Sequence, residues 1–61
     1  MKYAIKSLER ENTWLAAIEN STPMFTHDAV RRLETTDRMT ADALVANLRV
    51  WAFVCAVVTI E

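Results

Sequence analysis

The chain has 61 residues, of which 52% are apolar and 25% charged, with no glycine and a formal net charge of -1. A chain this short forms one small domain that buries only about 60% of its unfolded surface. Neither common staple is open to it: Cys55, the lone cysteine, cannot form an internal disulfide, and with the lone His27 it makes no four-ligand zinc site.

Oligomerisation or a binding partner is the remaining route to stability. The near-neutral charge excludes global attraction to nucleic acid or to an anionic membrane. The absence of glycine argues against phosphate-cradling loops and nucleotide fingerprints, and against tight hairpin turns, which favours helices over a meander of strands. A single cysteine in an apolar run, with no signal-peptide pattern at the N-terminus, predicts a reducing, cytoplasmic location.

From Lys2 to Asn20, Ile5, Leu8, Leu15 and Ile18 fall at helical intervals, widened by Ala4, Trp14, Ala16 and Ala17, and the spacing predicts a first amphipathic helix over residues 2–20. Ile5, Leu8, Asn12 and Leu15 also fit the a and d positions of a heptad, a second reading in which Asn12 sets the register of a coiled-coil dimer. Asn20, Ser21, Thr22 and Pro23 break the pattern, so a turn is expected over 21–25.

Thr26 then stands as an N-cap with Asp28 in the first turn, and Phe25 and Val30 are spaced as a hydrophobic staple. A second helix is expected over 27–35, burying Ala29, Val30 and Leu33, followed by a turn over 36–39. Thr40 repeats the N-cap signal, and Leu44, Leu48 and Trp51 follow at spacings of four and three, giving a third helix over 41–52.

The tail, residues 53–60, is apolar all round and rich in β-branched side chains, so it reads as a short strand or a helical extension. Ala43–Ile60 is near the minimum length for a membrane span, but Asn47 and Arg49 interrupt it and the uncharged run Val50–Ile60 is too short. Membrane insertion is therefore not expected. Only Met24, Phe25 and the first helix are available to cover the tail, and if they do not suffice the tail is an interface.

These elements, with Phe25-Thr26 opening the second helix, Thr40 capping the third, Leu44, Leu48 and Trp51 as its inward stripe and Cys55–Val58 as a first wing strand, resemble a winged helix-turn-helix domain. The fold class expected is thus mainly α: a three-helix, winged-helix-like core with a short apolar C-terminal strand or helical extension. The resemblance implies a third helix that enters the major groove, with Ala41, Asp42, Val45, Asn47, Arg49 and Ala52 outward. Arg31, Arg32, Arg38 and Arg49 are suited to phosphates and Asn47 to adenine. The alternative is that these arginines are solvated charges balancing Asp28, Glu34, Asp37 and Asp42. Phe25-Thr26-His27-Asp28-Ala29-Val30 is also similar to a segment of the DicB-type prophage inhibitors of cell division, small proteins that dock on a host protein.

Catalysis finds no constellation of nucleophile, base and orienting group, and no cofactor or metal is expected. The reading is a binding protein, not an enzyme: a small DNA-binding regulator of phage or prophage type using Arg31, Arg32, Arg38, Asn47 and Arg49. The alternative is a protein-interaction module, a homo-oligomer or an inhibitor of a host protein, whose apolar surface draws on Trp14, Val45, Trp51 and Phe53.

Overall fold

The computed structural model describes residues 1–60. Its elements are β1 (Lys2–Ser7), β2 (Trp14–Glu19), β3 (Thr22–Thr26), β4 (Glu34–Thr35), α1 (Arg38–Val50) and β5 (Cys55–Ile60). The strands make one five-stranded antiparallel sheet, and α1 packs on one face of it. This overturns the three-helix core and, with it, the helix-turn-helix and winged-helix architecture: among the described residues α1 is the sole α-helix.

β1 is the central strand. β5 pairs along its whole length, from Lys2↔Ile60 to Ser7↔Cys55. Its other side is shared: β2 meets it at Lys6↔Trp14, and β4 takes over at Tyr3↔Thr35 and Ala4↔Glu34. Tyr3 and Ile5 turn toward α1 while Lys2, Ala4 and Lys6 turn to the opposite, open face, the alternation of a strand with one buried side.

The expected first helix is instead the β1–β2 hairpin, and the reason lies in one residue. β2 pairs Leu15↔Phe25 and then Ala17↔Met24 and Ile18↔Pro23, leaving Ala16 as a bulge. The bulge carries Leu15 and Ile18 to the same face although they are three apart, which imitates a helical interval. Leu8, the other member of that stripe, is 62% exposed in the connecting turn, and Asn12 lies in the same turn at φ 52°, so the heptad positions do not share a face.

β2 and β3 are joined by Asn20-Ser21, both at positive φ (49° and 60°). That is the signature of a type I′ turn, which asparagine enters at little steric cost. The expected second helix reduces to a turn. Asp28 accepts from the Val30 N–H (2.9 Å) and its carbonyl from the Arg31 N–H (3.0 Å), but Leu33 N–H then donates to the Leu15 carbonyl (2.8 Å), and that bond draws the chain into the sheet before a helix can propagate. Val30, expected to be buried, is 91% exposed.

α1 starts three residues before the expected third helix because Asp37, not Thr40, is the N-cap. Its carboxylate accepts from the Met39 N–H (3.0 Å) and the Thr40 hydroxyl (2.8 Å). At the other end Ala52 N–H donates to the Arg49 carbonyl (3.0 Å) and Phe53 N–H to the Leu48 carbonyl (2.8 Å), the bond pair of a Schellman motif, with Ala52 at φ 70° where glycine is usual.

The core lies between α1 and the sheet. Ile5, Leu15 and Leu48 are fully buried with Ala41, joined by Cys55 and flanked by Tyr3, Ile18, Phe25, Leu44, Val45, Trp51, Phe53 and Val57. The Phe25 and Phe53 rings sit 5.4 Å apart. No helix of the described residues is long and apolar enough to cross a membrane.

Candidate interaction surface

The open face of the sheet carries a charged and aromatic cover over small side chains. Trp14 stands beside Lys6 by register, with the Lys6 ammonium 5.7 Å and the Arg32 guanidinium 4.4 Å from its ring centroid. Arg32 also holds Glu34 at 3.2 Å, and Glu34 reaches Lys2 at 3.9 Å. Ala4, on the same face of β1, is fully buried. The Arg32 side chain is only 16% exposed, so its cation is committed to Trp14 and Glu34.

The sheet edges formed by β3 and β5 differ in what they offer. β3 carries Pro23 opposite Ile18. In a hairpin closed by a two-residue turn, Glu19↔Thr22 is the hydrogen-bonded pair, so position 23 directs its backbone outward; proline removes the donor that a further strand would need.

β5 has no such guard. Leu8 N–H donates to the Val54 carbonyl (2.9 Å), and this fixes the phase of the β1–β5 ladder: Ala56, Val58 and Ile60 exchange bonds with β1, while Cys55, Val57 and Thr59 direct N–H and C=O outward. Among the described residues no strand pairs with that side. From Cys55 to Ile60 there is no charge, no proline and no bulge, three of the devices that blunt an edge.

The expected nucleic-acid residues fall in the segment between β3 and β4 and on α1. Arg31 is exposed and 3.7 Å from Asp28, Arg32 is on the open face, and Arg38 pairs with Asp42 at 3.1 Å while lying over Tyr3. Asn47 and Arg49 are exposed on α1. Of the expected apolar contacts, Val45, Trp51 and Phe53 pack against the core, and Trp14 lies under Lys6 and Arg32. Sequence reasoning does not single out the edge of β5 residue by residue, although its signal, an uncharged β-branched run, is present in the sequence.

Chemistry is sparse. A cleft of about 140 Å³ lies among Ser7, Glu9, Thr13, Phe25 and Phe53, and a wider groove of about 440 Å³ runs along the β1–β2 turn from Lys6 to Asn12. Glu9 accepts the Val54 N–H at 2.9 Å and so anchors the start of β5. Burial pushes the Cys55 thiol above its ordinary range, and the Glu9 carboxylate adds to that, so the thiol stays protonated at neutral pH. His27 Nδ1 is 3.4 Å from the Thr13 hydroxyl and 3.3 Å from the Asn12 carbonyl, where it ties the end of β3 to the β1–β2 turn. The segment Phe25–Val30 ends β3 and forms the turn after it. Among the described residues no three His, Cys, Asp or Glu side chains are grouped to hold a metal. Comparison with known proteins gives no matching family model, no matching curated protein and no matching solved structure.

Proposed function

We propose that this chain is a small protein-interaction module of a reducing, cytoplasmic compartment, not an enzyme, and that it binds by adding a strand to the outer edge of β5. One observation carries the reading: Cys55, Val57 and Thr59 present unpaired backbone groups along an uncharged strand. Strand addition draws affinity from such main-chain groups and specificity from the alternate side chains. Amide exchange in dilute solution tests it. Ala56 and Val58 amides should be protected by β1, and Cys55, Val57 and Thr59 amides should exchange rapidly; uniform protection along β5 would mean the edge is already occupied.

Duplex DNA as the partner draws less support from this geometry. Arg31, Arg32 and Arg38 are each engaged with a carboxylate, and no second helix precedes α1 to seat it in a groove. A gel shift that weakens steeply with salt and disappears on charge reversal of Arg31 and Arg32 would restore that reading.

A further inference from the structure

We infer that the occupant of the β5 edge is a second copy of this chain, paired antiparallel through β5 about a two-fold axis at Val57. This rests on the strand-addition reading and names its partner. The phase of the ladder dictates the register: with Cys55, Val57 and Thr59 outward, Val57 meets its own copy, and Cys55 meets Thr59 on either side of the axis. About six backbone hydrogen bonds form if each of those pairs exchanges both bonds.

Three features select a second copy. Because Cys55–Ile60 bears no charge, self-pairing sets no like charges opposite one another, the clash by which a charged edge strand resists pairing with its own copy. The same register places Ala56 opposite Val58 and Val54 opposite Ile60, so Val54, 44% exposed, and the half-buried Ile60 gain apolar neighbours. Val57, already packed against the core, extends that core across the axis. Finally, Pro23 blocks the β3 edge, so pairing cannot continue from copy to copy; an isologous contact at one free edge closes as a two-fold dimer.

Sedimentation velocity across micromolar to near-millimolar concentration, with amide exchange on the same samples, tests this. The expected result is a rise to twice the monomer mass, accompanied by protection of the Cys55, Val57 and Thr59 amides with no change at Ala56 and Val58. Thr59→Pro removes an outward donor at an exposed residue without touching the β1 ladder, and should leave a monomer with an unchanged far-UV spectrum. A chain that stays monomeric throughout overturns self-pairing, as does a dimer whose outer β5 amides still exchange rapidly. In the monomeric case an excess of a synthetic peptide spanning Cys55–Ile60 separates the two readings. Protection of the three outer amides by that peptide leaves strand addition standing without the dimer, and no protection removes both.

Discussion

Ala52 stands at φ 70° in a motif that positions Phe53 over the end of α1, and a non-glycine residue in the left-handed region is strained by about 1–2 kcal/mol. Ala52→Gly relieves that strain against some loss of chain entropy, and is expected to raise the stability to urea by about 0.5–1 kcal/mol. Asp37 gives a pH-dependent counterpart. The Thr40 hydroxyl, then the Met39 N–H, hold its carboxyl below the ordinary 3.8. A carboxylate whose folded value is depressed contributes stability that is complete above the unfolded value and is lost as pH falls through the folded one. Asp37→Asn should therefore narrow the stability difference between pH 7 and pH 3, as read from urea midpoints at the two pH values. The absence of glycine argued against hairpins because it equated the left-handed region with glycine. Asn12, Asn20, Ser21 and Ala52 occupy that region instead, and Asn20-Ser21 makes the hairpin turn.

At the scale of elements, the third helix was legible in its inward stripe though not in its cap, and the apolar tail, readable as a strand or a helical extension, forms the strand. Leu44 and Leu48 fall at a helical interval and do pack inward, and a β-branched run does form β5. The first half was not legible, since the bulge at Ala16 converts the two-residue period of a strand into a three-residue step. This makes an unusual expectation. Because Leu15↔Phe25, Ala17↔Met24 and Ile18↔Pro23 run in unbroken order around the bulge, deleting Ala16 should leave every core residue of β2 on its present face and keep cooperative unfolding. Deleting Ala4 should make Tyr3 and Ile5 adjacent and so place them on opposite faces, withdrawing one of them from the core and strongly destabilising the fold, because a one-residue slip inverts the part of the strand it shifts. Circular dichroism with thermal melts distinguishes the two. The second helix failed for a different reason: its cap signals at Thr26 and Asp28 are real hydrogen bonds (3.0 and 2.9 Å), but they close a turn, and a cap alone does not decide whether a helix propagates beyond it.

For the whole molecule the issue is margin. A chain of this size holds about 3–9 kcal/mol at typical values per residue, and Leu48→Ala, which removes a fully buried side chain at the centre of the core, is expected to cost about 2–5 kcal/mol. The variant should unfold at a much lower urea midpoint than the parent when dilute, by near-UV dichroism. That midpoint should rise with protein concentration if the β5 edge pairs, since association adds stability by mass action. The candidate surface was legible only as a question of what covers the tail. Sequence pattern places β-branched residues in a strand, but which edge stays open depends on β1 lying at the centre, a matter of topology that local pattern does not encode.

That central position sets how the chain reaches its fold. β1 and β5 lie at opposite ends of the sequence, and Lys2 must find Ile60 before the longest ladder in the sheet exists. Helical bundles assemble from neighbours; here the decisive contacts close a loop of almost the whole chain, which places folding in the slower, high-contact-order regime despite the small size. Until β5 arrives, β1 carries an unpaired edge of its own. The hairpin β2–β3 and the capped helix α1 are built from local contacts but are marginal by themselves, so refolding of dilute protein should be slow for a chain of this size, with helical and sheet signals rising together.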